Sequence, residues 1–145
     1  MALQPVTPQQ AQQRDREVTE YLYNALRTIP QDLGGIDAQI ASLANAKRDA
    51  EQRLEDAELN AQMSGDIDGK NETERKLKLK AAINKDPNYK TTQKEVMTYQ
   101  NEIELQQAEA TSKRREFQAA IALAELHAAR INLMTKIQTS KDATK

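Results

Sequence analysis

The stretch Ser64 to Arg75, SGDIDGKNETER, crowds glycines, carboxylates and a lysine into a few residues and is the first candidate for chemistry in this chain. An EF-hand calcium loop needs oxygen ligands at positions 1, 3, 5, 7, 9 and 12, with glycine at 6. Counting from Ser64, Asp66, Asp68 and Gly69 fit, but Asn71 takes the usual apolar position 8 and Arg75 stands where the bidentate glutamate belongs. A cation there repels calcium. A phosphate loop needs G-x-x-x-x-G-K-[ST] after a strand. Gly65 to Lys70 is one residue short, and Asn71 replaces the magnesium-binding hydroxyl. The turn reading uses more of these residues. Gly65 ends one helix, Asp66, Asp68 and Gly69 make a polar turn, and Asn71 with Glu74 forms a capping box for the next helix.

Other chemistry is poorly supplied. A di-iron bundle needs Glu-x-x-His motifs, whereas the sole histidine, His127, follows Glu125 by two positions. With no cysteine there is no thiolate ligand or thiol nucleophile. The sequence reading is therefore a non-enzyme that uses no cofactor and no metal.

The elements that carry these residues are helical. The 145-residue chain is 38% hydrophobic, 30% charged and 3% aromatic, a balance that suits long amphipathic helices more than a thick core. The net charge of −1 provides no global field for nucleic acid or membrane. Its distribution is uneven: Asp32, Asp37, Asp49, Glu51, Glu55, Asp56 and Glu58 dominate one segment, and Arg75 to Lys90 is basic. No apolar run reaches the roughly 20 residues of a membrane span, and the N-terminus lacks signal-peptide character, so a cytoplasmic protein is expected.

Residues 1–8 are expected to trail as a flexible arm, and 139–145 as a flexible tail. Between them a single helical domain, 9–138, divides into helices over about 9–29, 35–62, 72–84 and 87–138. Val18, Tyr21, Leu22, Ala25, Leu26 and Ile29 share a face of the first, which Pro30 and the glycines 34 and 35 should end. Ile36, Ile40, Leu43, Lys47, Ala50, Leu54, Ala57 and Ala61 step by four and three, a coiled-coil seam. Asp86 and Pro87 break the chain and start the last helix. Its seam runs Tyr89, Thr92, Val96, Tyr99, Ile103, Gln106, Ala110, Lys113, Phe117, Ala120, Ala124, His127, Ile131 and Met134. Lys47, Gln106 and Lys113 are polar members, whose stems can pack while their heads reach water. The fold class is all-α: an elongated antiparallel helical hairpin or coiled coil with a very long C-terminal helix, assembling into a helical bundle.

Two surfaces are candidates for function. Phe117, Ile121, Leu123, Leu126, Ile131, Leu133 and Met134 do not share one stripe, so a single neighbouring helix cannot cover them and self-association is expected. Arg75, Lys76, Lys78, Lys80, Lys85 and Lys90 are candidate nucleic-acid contacts. The alternative is that they pair with the acidic second helix. The segment IDGKNETERKLKLKAAINKDPNY also resembles a pattern in small helical bacteriophage proteins, carried by Ile67 to Glu72 and Asp86 to Tyr89. That resemblance implies a phage or prophage origin and no particular activity. The reading is a homo-oligomeric interaction protein that binds a host or phage protein. A nucleic-acid-binding replication or recombination accessory, or a structural or scaffolding virion component, is the alternative.

Overall fold

The computed structural model describes residues 4–64 and 69–144, and within them the chain is all-α. Three helices follow one another: α1 (Pro8–Met63), α2 (Glu72–Lys85) and α3 (Pro87–Ala143). α1 opens on a capping box. Thr7 Oγ1 accepts from the Gln10 N–H at 3.3 Å, and Gln10 Oε1 accepts from the Thr7 N–H at 3.0 Å, with Pro8 in the first helical position. The expected arm therefore ends at Thr7, and residues 1–3 lie outside the described residues. At the other end α3 runs on to Ala143, so residues 139–143 of the expected tail are helical.

The break expected at Pro30 does not occur; one helix replaces the two over 9–29 and 35–62. Proline in a helix interior costs roughly 3 kcal/mol and each glycine about 1 kcal/mol against alanine. On the same stretch Leu22, Ile29 and Ile36 are buried and Leu26 and Leu33 partly so. Burial of such side chains contributes about 1.5–3 kcal/mol each, which outweighs the local penalty. Pro30 itself sits at an exposed position. A methyl group added at Gly34 or Gly35 meets nothing within 4 Å. The double variant Gly34→Ala/Gly35→Ala is therefore expected to gain about 1.5–2 kcal/mol, raising the melting temperature by roughly 4–8 °C. A fall in melting temperature by circular dichroism would show that these glycines serve a bend that alanine cannot make.

The single domain expected from the sequence resolves into two compact units. Unit 2, residues 36–109, holds the second half of α1, α2 and the first half of α3. Here α1 and α3 run antiparallel: Glu58 meets Tyr89, Arg53 meets Glu95 at 2.8 Å, and Lys47 meets Gln100 at 2.8 Å. Ile36, Ala50 and Ile103 are buried, and the remaining seam members are half-buried on both helices. Lys47 behaves as expected of a polar seam residue. Its stem is packed, and its ammonium group donates to Gln100 while lying 3.5 Å from Glu51.

Unit 1, residues 1–35 with 110–145, pairs the first part of α1 with the last part of α3, again antiparallel. Asp32 meets Lys113 at 3.4 Å, Thr19 meets His127 at 3.0 Å, and Asp15 meets Arg130 at 3.2 Å. Leu22, Ala25, Ile29 and Ala120 form its core, with Val18, Leu26, Leu33, Phe117 and Ala124 packed around them. Tyr21, expected on this face, is instead 51% exposed.

Tyr89 fastens the end of the pair in unit 2. Its hydroxyl donates to Glu58 Oε1 at 2.6 Å, and this bond, with burial and the carboxylate's charge, raises the phenol pKa above 10.0 against an opposing bond from Gln93. Tyr89→Phe is expected to cost about 1 kcal/mol, the carboxylate being partly screened by water. The raised pKa means that this contribution is complete below pH 10 and is lost as the pH rises through the folded value. Urea titrations of the two proteins should therefore differ at pH 7 and converge well above pH 10.

Candidate interaction site

The second half of α3 carries more large apolar side chains than α1 covers. Leu123 is 40% exposed, Leu126 69%, Leu133 60% and Ile137 48%. Leu123, Leu126, Leu133 and Ile137 are separated by three, seven and four residues, so they lie along one stripe of the helix. Ile121 is exposed as well, but it lies two residues from Leu123 and so about 200° away around the helix. Ile137 was not among the self-association candidates, although its spacing from Leu133 was the signal that could have included it.

Three candidates are placed differently from expectation. Phe117 packs against the Leu22–Ala25–Ile29–Ala120 core and is partly buried there. Ile131 and Met134 continue the α1-facing seam, yet both are about half exposed. The physical reason is the partner: next to Ile131 the first helix supplies Asp15, Arg16, Thr19, Glu20 and Tyr23, which leave an open groove. His127 lines that groove, where its Nε2 and Thr19 Oγ1 share a hydrogen bond. Arg130 reaches Asp15, but the contact lacks hydrogen-bond geometry and leaves Asp15 Oδ1 unsatisfied except by charge.

The second surface is α2. Asn71 caps it as expected, its Oδ1 accepting from the Glu74 N–H at 2.8 Å. Glu74 returns its carboxylate to the N–H of Lys70, one residue earlier than a standard capping box. Arg75 Nε donates to the Gly69 carbonyl at 3.1 Å, so this candidate nucleic-acid contact closes the loop. The expected roles of Gly65, Asp66, Ile67 and Asp68 lie outside the described residues. At the far end Asp86 Oδ1 accepts from the Asn88 N–H and starts α3, with Pro87 in its first position.

No residue of α2 is buried; Leu79 and Ile83 line a shallow cavity together with Glu58, Tyr89 and Gln93, and Leu77 is 64% exposed. Lys76 pairs with Glu72 at 2.8 Å and Lys78 lies 3.9 Å from Glu74, both within α2. Lys80, Lys85 and Lys90 are exposed and enter no ion pair among the described residues. Three acids of α1 have partners elsewhere, Glu51 with Lys47, Asp56 with Gln52 and Glu58 with Tyr89. Among the described residues, Lys80, Lys85 and Lys90 therefore make no ion pair with the acidic stretch of α1.

Comparison with protein-family models, curated proteins and solved structures gives no match. The two surfaces themselves have to carry the functional reading. Among the described residues no helix is long and apolar enough to cross a membrane.

Proposed function

We propose that this chain is a non-enzymatic, phage-encoded helical interaction protein of the host cytoplasm, which self-associates and then holds a protein partner. The observation that carries this reading is the stripe Leu123, Leu126, Leu133 and Ile137, exposed by 40–69% on a helix that packs against α1 through a different face as far as His127. Contiguous exposed apolar surface of this kind marks interaction sites in soluble proteins. Burying these half-exposed side chains on two copies gains on the order of 8 kcal/mol. The cost of association is of the same order, about 4–15 kcal/mol. Assembly is therefore expected to depend on concentration, not to be obligate. Sedimentation velocity over a wide concentration range tests it: a mass rising from 16.3 kDa supports the reading, and a constant monomer ends it.

A second reading, a nucleic-acid-binding accessory, is favoured by Lys80, Lys85 and Lys90, which stand exposed with no ion pair among the described residues. Such cations neutralise phosphates in a strongly salt-dependent way. Fluorescence anisotropy with short DNA and RNA at low and physiological salt separates the two readings. Under this second reading, Lys80→Glu/Lys85→Glu/Lys90→Glu abolishes binding while helicity is kept. No binding by the unaltered protein, even at low salt, leaves protein partners alone. Polymerisation into open-ended assemblies would point instead to a structural or scaffolding virion component.

A further inference from the structure

The geometry points to the orientation of the second copy: the two α3 stripes pack antiparallel, an inference that rests on the self-association proposed above. The stripe extends over Ala119, Leu123, Leu126, Arg130, Leu133 and Ile137, which alternate by four and three and are all exposed. This is a second heptad seam on a helix already using one. Its one charged member is Arg130, which lies 3.2 Å from Asp15 of its own chain. Because that charge is met internally, the seam calls for apolar layers opposite it and not for an acidic partner.

Of the two in-register arrangements, a second copy supplies those layers only when reversed. In a parallel, in-register pair the two Arg130 side chains would share one layer. Lys136, which flanks the seam, would stand beside Lys141 of the other copy. Like charges so placed oppose assembly. Reversal removes both conflicts. Leu123 then faces Leu133 of the second copy, Arg130 lies over Leu126, and Ile137 faces Ala119. Lys136 falls beside Ala122, and the arginine stem covers apolar surface while its guanidinium stays with Asp15. The register is also singular. A shift of one heptad in one direction brings Ser140 and Thr144 into the layers, and in the other Ser112 and Glu116.

The absence of cysteine makes the test direct, since an introduced thiol is the only one present. Ala119→Cys and Ile137→Cys are prepared separately, checked for helicity, then oxidised alone and as an equal mixture. In the antiparallel pair the two copies' residues 119 lie about 27 Å apart, while 119 meets 137. A disulfide needs Cα atoms within roughly 7 Å, so the mixture is expected to give about tenfold more covalent dimer than either variant alone. Efficient cross-linking of Ala119→Cys by itself overturns the orientation and leaves self-association standing. A protein that self-associates but cross-links in none of the three samples removes this stripe from the interface. A wild-type protein that stays monomeric by sedimentation overturns the self-association and this inference together.

Discussion

Leu126→Asp is expected to leave the protein monomeric with its helices intact. Leu126 is the most exposed member of the stripe at 69% and belongs to no buried cluster within its own chain. Its replacement costs the isolated fold little beyond helix propensity, about 0.5 kcal/mol. In an assembled pair the same change buries a carboxylate against leucine in each copy. An unpaired buried charge costs several kcal/mol, and every 1.4 kcal/mol is a factor of about ten in affinity. The association constant should fall by a factor of about 100 or more, seen as a monomer mass at concentrations where the unaltered protein has assembled. Ile131→Asp makes a useful contrast. It lies in the groove beside Asp15 and Glu20 and is expected to weaken the fold of its own chain as well. Assembly by Leu126→Asp equal to that of the unaltered protein would place the interface elsewhere.

Ile29→Ala is expected to cause the largest loss of stability, about 3–4 kcal/mol within the range of 2–5 kcal/mol for such truncations. The side chain is 2% exposed and sits at the centre of the unit 1 core. Its neighbours include Ala25 and Ala120, whose short side chains give the helices nothing with which to fill the space left behind. Since domains of this size are stable by about 5–15 kcal/mol, one such loss removes a large share. Denaturant titration followed by circular dichroism measures it. Tyr21→Ala, half exposed on the same helix, serves as the control and should cost less than about 1 kcal/mol. Equal losses at the two positions would mean that Ile29 does not centre the core.

The seams were legible in the sequence because helix pairing imposes a three–four spacing that loops do not mimic. Ile36 to Ala61 and Tyr89 to His127 are all at least half-buried at the expected positions. The caps Asn71 and Asp86 were equally legible, since a short polar side chain before a helix has few other uses. Pro30 misled because propensity is a local term, and the burial of Ile29 and Ile36 that overrides it depends on residues some 80 positions away. The end of the α3 seam misled for the same reason: whether Ile131 is covered depends on what α1 offers, and α1 offers Asp15 and Thr19. Ile137 could have been found from spacing alone. What the lysines of α2 pair with could not, because an acidic stretch in the sequence does not say which of its members already have partners.

The antiparallel register also gives the chain a direction of closure. Contacts between α1 and α3 are separated by 31 residues at Glu58–Tyr89, 42 at Arg53–Glu95, 53 at Lys47–Gln100, 81 at Asp32–Lys113 and 108 at Thr19–His127. Closing the longest of these from an open chain costs only about 1 kcal/mol more than closing the shortest. Yet once the Glu58–Tyr89 contact of unit 2 has formed, Arg53 and Glu95 are only five and six residues further along their helices and close a short loop. Within each unit, closure outward from the contact of smallest separation is therefore the less costly order. In unit 1 the end of α3, which carries the exposed stripe, pairs with the start of α1 across the longest separations in the chain.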